Sequence, residues 1–145
     1  DIKAGAAVTV LGPSGEFVLA DGHRALVFAA CDTGFVPIKS LIEHALSLDA
    51  APSLSLFWLA TRSDGHFLSN HCRAWSEALD QFEFELVSHA DVAVGARQIA
   101  HAMRADLFDI DCDFYLAGPA GFVSTLHDEL RAAGVAAAQL FTQVL

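Results

Sequence analysis

Two short segments carry the residue types best suited to gripping an anion. Cys31-Asp32-Thr33-Gly34-Phe35-Val36-Pro37 and Ala117-Gly118-Pro119-Ala120-Gly121-Phe122 each follow an apolar run, contain glycine and lead into a stretch of helical period. Glycine admits close approach to the backbone, and a helix N-terminus aims free N–H groups and partial positive charge at a ligand. Two such turns facing one crevice would make a cradle for a pyrophosphate. On these residues alone, glycine after a strand is equally ordinary turn chemistry.

Other chemistries have weaker signatures. None of His23, His44, His66, His71, His89, His101 and His127 forms a His-x-x-x-His pair or stands beside a Cys-x-x-Cys, so no metal site is expected. Ser14 lies in Gly-Pro-Ser-Gly, which is not the Gly-x-Ser-x-Gly elbow of the hydrolases. Cys31, Cys72 and Cys112 are isolated, apolar-flanked and odd in number, which predicts buried thiols in a reducing, cytoplasmic compartment. Asp106, Asp109, Asp111 and Asp113 form an acidic patch, read as a solvated loop, with docking of a basic partner or a cation as the alternative. Trp58 and Trp75 read as packing residues.

Composition bounds the rest. The 145 residues include 8 basic and 18 acidic side chains, a formal charge of −10, which argues against nucleic acid or an anionic membrane as partner. With 54% apolar and 18% charged residues the chain should fold compactly, and no apolar run approaches the ~20 residues of a bilayer span.

The elements that must position the two turns follow from periodicity. Ala25–Cys31 and Leu54–Ala60 are continuous apolar runs, as in parallel strands buried on both faces. Phe82–Leu86 alternates with period 2 and reads as a wetter strand near a sheet edge. Asp113–Ala117 and Gln139–Val144 complete five strands. Between them, Ile38, Leu41, Ile42, Ala45 and Leu46 draw one helical stripe, with Asp32 or Thr33 as cap and Pro37 in the first turn. Phe67–Leu79 predicts a second helix. Val92 to Met103 predicts a third, capped by Asp91, and Phe122 to Leu130 a fourth, ended by Gly134. Repeated strand–helix units imply right-handed crossovers, hence an α/β, doubly wound five-stranded parallel sheet in the order 3-2-1-4-5 with helices on both faces. Its ligand crevice should open where the strand order reverses, after the first and fourth strands. Ala7–Leu11 and Glu16–Leu19, around Gly12-Pro13-Ser14-Gly15, read as a short β-hairpin outside this alternation, either the remnant of a preceding β domain or an ornament on a single domain.

Several stretches together resemble one family. Gly12-Pro13-Ser14-Gly15-Glu16-Phe17-Val18-Leu19, then Thr33-Gly34-Phe35-Val36-Pro37-Ile38-Lys39-Ser40-Leu41-Ile42-Glu43-His44, then Phe57-Trp58 with Arg62, then Ala117-Gly118-Pro119, occur in the order found in the ferredoxin–NADP reductase-like flavoproteins. The chain looks most similar to their oxygenase-reductase and CDP-6-deoxyhexulose-reductase branch. The resemblance implies that residues 23–145 are an NAD(P)-binding domain and residues 1–22 the end of a flavin-binding β-barrel, whose Arg-x-Tyr-Ser-type flavin motif is not in this chain. Thr33, Gly34 and Pro37 match the family's Gly-Gly-Thr-Gly-x-x-Pro loop beside the pyrophosphate, and Gly118 and Pro119 match its Gly-Pro turn at the nicotinamide. Arg62 and Asp64 fall where the family contacts the adenine ribose. Arg62 suits a 2′-phosphate and Asp64 a ribose 2′-hydroxyl, and the balance tips slightly to NADH. FAD would come from the barrel domain of the same polypeptide, and an electron-transfer protein is a further implied partner. No side chain is expected to act as acid or base.

The chain also departs from the pattern. Cys31-Asp32 replaces Gly-Gly, Ala117 stands where many relatives carry cysteine, and Phe141 is the candidate for the family's C-terminal aromatic residue. A carboxylate at the phosphate loop should weaken anion binding unless it turns away to cap the helix. Asp32 therefore also permits a non-catalytic domain of the same fold, used for assembly or regulation.

Overall fold

The computed structural model describes residues 17–19, 24–48, 52–106 and 111–145. The two continuous apolar runs form β1 (Ala25–Cys31) and β2 (Leu54–Ala60), residue for residue as the sequence predicts. The remaining strands are β3 (Phe82–Ser88), β4 (Cys112–Gly118) and β5 (Leu140–Val144). All pairings are parallel, in the order β3-β2-β1-β4-β5. Four helices link them: α1 (Phe35–Leu48), α2 (Ser69–Ala78), α3 (Val92–Asp106) and α4 (Ala120–Ala132).

Alternation along β1 shows how the sheet is covered. Leu26, Phe28 and Ala30 join Ile38, Leu41, Ile42 and Ala45 of α1 in one core. Val27, Ala29 and Cys31 join Ala96, Ile99 and Met103 of α3 and Phe122, Leu126 and Leu130 of α4 in the other. A strand buried on both sides needs apolar residues at every position, which is why period 2 vanishes there. At the β3 edge it returns: Phe82 is buried, whereas Glu83 and Glu85 are exposed.

The boundary residues behave as local chemistry requires. The Val94 N–H donates to Asp91 Oδ1 at 3.0 Å, the expected cap of α3. Gly134 ends α4 with φ 104°, a left-handed value, while the Val135 N–H bonds back to the Leu130 carbonyl at 3.0 Å. At the N-terminal end of the sheet Arg24 reaches both Asp111 (3.0 Å) and the buried Asp113 (3.2 Å).

Several boundaries differ from expectation, β4 by one residue at each end and the following four more instructively. β3 continues to Ser88 because Val87 and Ser88 still pair with Leu59 and Ala60. α2 starts at Ser69, because the Phe67 ring lies edge-on to Trp58 in the preceding loop. β5 starts at Leu140, because the Gln139 side chain closes a 3-10 turn by accepting from the Ala136 N–H and donating to the Cys112 carbonyl. Phe17–Leu19 are not in a strand; Phe17 instead sets its ring edge against Tyr115, 5.9 Å away. The rest of the predicted hairpin lies outside the described residues.

Candidate functional site

The strand order reverses between β1 and β4, so their carboxyl ends flank the crevice of an open parallel sheet. The turns after these strands touch through their backbones. A Cβ on Gly34 would stand 2.3 Å from the Ala117 carbonyl oxygen, and one on Gly118 would stand 2.9 Å from Cys31 Cβ. Glycine at 34 and 118 therefore lets the turns meet each other. The space that a side chain at either position would need is taken by the opposite turn. Thr33, Pro119, Ala120 and Gly121 are exposed, and a Cβ on Gly121 would meet only Val92 Cγ1, at 3.9 Å. Pro119 precedes the first turn of α4, whose leading N–H groups have no acceptor within the helix. Pro37 sits half-buried in the first turn of α1, where its missing N–H breaks no helical bond.

Asp32 corrects an expectation. It does not cap α1, because a 3-10 turn, Asp32–Gly34, intervenes and the Phe35 N–H bonds to the Asp32 and Thr33 carbonyls. Asp32 itself takes a left-handed backbone with φ 52°, a region open to Asp and Asn among the few non-glycine residues. Its carboxylate points across to the loop after β2, where Oδ1 accepts from the Thr61 N–H at 2.9 Å and Oδ2 accepts from the Thr61 hydroxyl. The buried Trp58 indole N–H donates to the Asp32 carbonyl at 3.1 Å while its ring stacks on Phe35. Gly65 completes the cover, for a Cβ there would fall 2.6 Å from Asp32 Oδ1. Burial, and then the neighbouring Asp32 charge, push the Cys31 thiol up to about 12, so it stays protonated.

Beside this tether lies a polar recess of about 330 Å³ lined by Thr61, Arg62, Ser63, His66, Ser88 and His89. It forms at the ends of β2 and β3, on the side expected for an adenosine. Arg62 reaches it, whereas Asp64 is absent from its lining and meets Arg62 in an exposed ion pair of 3.7 Å. His66 Nε2–H donates to the Trp58 carbonyl at 2.8 Å, and His89 Nδ1 accepts from the Asp91 N–H at 2.9 Å. Sequence reasoning missed Thr61, Ser63, His66, Ser88 and His89. The signal was their place at, or within a few residues past, the carboxyl ends of two strands at the binding end of the sheet.

Phe141 is not a free aromatic platform. Its ring stacks on Tyr115 at 4.8 Å and 13°, within the α1-side core. The Leu145 N–H instead reaches the site, bonding to the Gly118 carbonyl at 2.9 Å. Among the described residues no cluster of His, Cys, Asp and Glu could hold a metal ion, and no helix is long and apolar enough to cross a membrane.

No protein-family model matches the chain. Curated relatives do. A component of the Na(+)-translocating NADH-quinone reductase of Shewanella denitrificans is 30% identical over 144 residues, covering 88% of this chain and 35% of that protein. The CDP-6-deoxy-L-threo-D-glycero-4-hexulose-3-dehydrase reductase of Yersinia pestis is 22% identical over 146 residues, covering 98% and 44%. Among solved structures, the flavohem-like FAD/NAD binding domain of nitric oxide dioxygenase from Vibrio cholerae shares the fold, with TM-score 0.68 and 19% identity over 90% of this chain and 55% of that one. In sequence and fold the chain is similar to members of the ferredoxin–NADP reductase-like family. The chain spans less than half the length of those two curated relatives.

Proposed function

We propose that residues 23–145 are the NAD(P)H-binding domain of a flavin-dependent oxidoreductase, and residues 1–22 the end of its flavin-binding β-barrel. The observation that carries this reading is the crevice at the switch point, where two helix-opening turns interlock through Gly34 and Gly118 while Gly121 stays open. Thr33, Gly34 and Pro37 would line one side of a bound dinucleotide, and Gly118 and Pro119 the nicotinamide side. The leading N–H groups of α4 suit the pyrophosphate charge. The recess suits an adenosine ribose, with Arg62 and Asp64 at its rim.

A dinucleotide held by these residues would supply hydride chemistry to a flavin in the barrel domain of the same polypeptide, with an iron–sulfur or oxygenase partner as the electron acceptor. In this reading the chain's residues bind and orient the dinucleotide. A cytoplasmic location agrees with three free, buried thiols. The non-catalytic alternative rested on Asp32 facing the phosphates, and its bonding to Thr61 weakens that case.

Calorimetric titration of the chain with NADH and NADPH tests the proposal. Saturable binding of either supports it, and no heat up to millimolar nucleotide overturns it. In protein that includes the barrel domain, NADH or NADPH should bleach a yellow flavin.

A further inference from the structure

Thr61 has two polar hydrogens, on its backbone nitrogen and its hydroxyl, and Asp32 accepts both. A threonine hydroxyl has one hydrogen, so toward the recess Thr61 offers only a lone pair. No cation among the described residues pairs with Asp32, which leaves its charge directly behind Thr61. Two neighbouring side chains each direct one donor elsewhere. His66 spends its Nε2–H on the Trp58 carbonyl, and Arg62 is drawn toward Asp64. A phosphate needs donors, whereas a ribose hydroxyl brings one of its own.

We propose that Asp32 is a positioning residue that sets 2′ specificity from outside the recess: by consuming both Thr61 donors it makes the recess take a ribose 2′-hydroxyl and refuse a 2′-phosphate. The proposal rests on the dinucleotide reading above and assigns NADH as the preferred form. It gives a role to the carboxylate that stands where the family pattern has glycine.

In Asp32→Asn the side-chain amide donates to the Thr61 oxygen, which frees the Thr61 hydroxyl hydrogen for the recess and removes the charge. The experiment is calorimetric titration of the chain and its variants with NADH, NADPH, adenosine and adenosine 2′-monophosphate. The unaltered chain should favour NADH. Asp32→Asn should raise the NADPH-to-NADH affinity ratio about tenfold, the worth of one hydrogen bond to a charged group, and raise the ratio for the two adenosine probes in parallel. Thr61→Val in the Asp32→Asn background should erase the gain, and Thr61→Ser in the native background should keep the native ratio. Should Asp32→Asn fold poorly, Asp32→Gly, which adopts the left-handed backbone freely, should shift the ratio in the same direction. Retained binding with an unchanged ratio overturns the proposal and leaves the dinucleotide reading intact. A gain that survives Thr61→Val overturns the hydroxyl's role. Failure of the unaltered chain to bind any of the four overturns both.

Discussion

Asp32 and Asp113 stand at opposite ends of the sheet and are held by opposite means. Asp113 is buried at the start of β4 and answers to a cation, Arg24. Asp32, just past the end of β1, answers to neutral donors of Thr61 and to the Cys31 thiol. A carboxylate matched by a guanidinium has its charge neutralised where it sits, which suits a joint between strands. One matched by neutral donors keeps its charge and projects it, which suits a place where another charge is to be judged. The contrast separates a structural end of the molecule from a discriminating one.

Substitutions can break that contrast, and the largest effect belongs to the crevice. Gly34→Ala drives a methyl into the Ala117 carbonyl, a backbone atom with no freedom to yield. It should cost about 3 kcal/mol in urea unfolding, at the upper end of the usual overpacking range, and abolish nucleotide binding. Arg24→Ala comes next. It strands the Asp113 carboxylate and should cost about 2 kcal/mol, less than a fully buried pair because Arg24 is half exposed. Added salt should narrow the gap between that variant and the native chain, while the NADH preference stays put. A change in nucleotide preference in Arg24→Ala would erase the distinction between the two ends.

Smaller effects sharpen it. The Val94 N–H bond holds the Asp91 carboxyl below its ordinary 3.8. A lowered native pKa stabilises above the unfolded value, so the α3 cap is fully present above about pH 4 and lost as pH falls through the native pKa. The pH-melting curve of Asp91→Ala should converge on that of the native chain in acid. Burial raises Cys72 to about 11 and Cys31 to about 12. Raised thiol pKa values favour the folded state's protonated form, so stability falls as pH climbs above 9 toward those values. At pH 8 an aromatic disulfide reagent should find no reactive thiol in the folded chain and three in urea.

Fold and site differed in how much the residues disclosed. β1 and β2 were legible to the residue, because a strand covered on both faces must be apolar throughout and stops where polarity begins. The Asp91 cap and the Gly134 stop were legible because both act within a few residues. Asp32 was not. Local rules offered it the nearest helix, whereas its partner Thr61 lies 29 residues on, on the neighbouring strand's loop. Gly34 and Gly118 lie in the turns after β1 and β4, yet the clashes that demand glycine there are with Ala117 and with Cys31, across the turn pair. The recess escaped notice for the same reason: Ser88 and His89 meet Thr61 and Arg62 only once β3 lies beside β2.

One buried side chain makes all of this observable without a label. The chain has two tryptophans, and Trp58 is fully enclosed, stacked on Phe35 at 4.0 Å, with its indole N–H on the Asp32 carbonyl. Its emission should be blue, and its wavelength and lifetime tied to the turn that forms one wall of the crevice. Trp75, half-buried on α2, is the second emitter. With Trp75→Phe the molecule becomes a single-channel optical gauge of the Asp32 turn, able to time its movements in a stopped-flow cuvette.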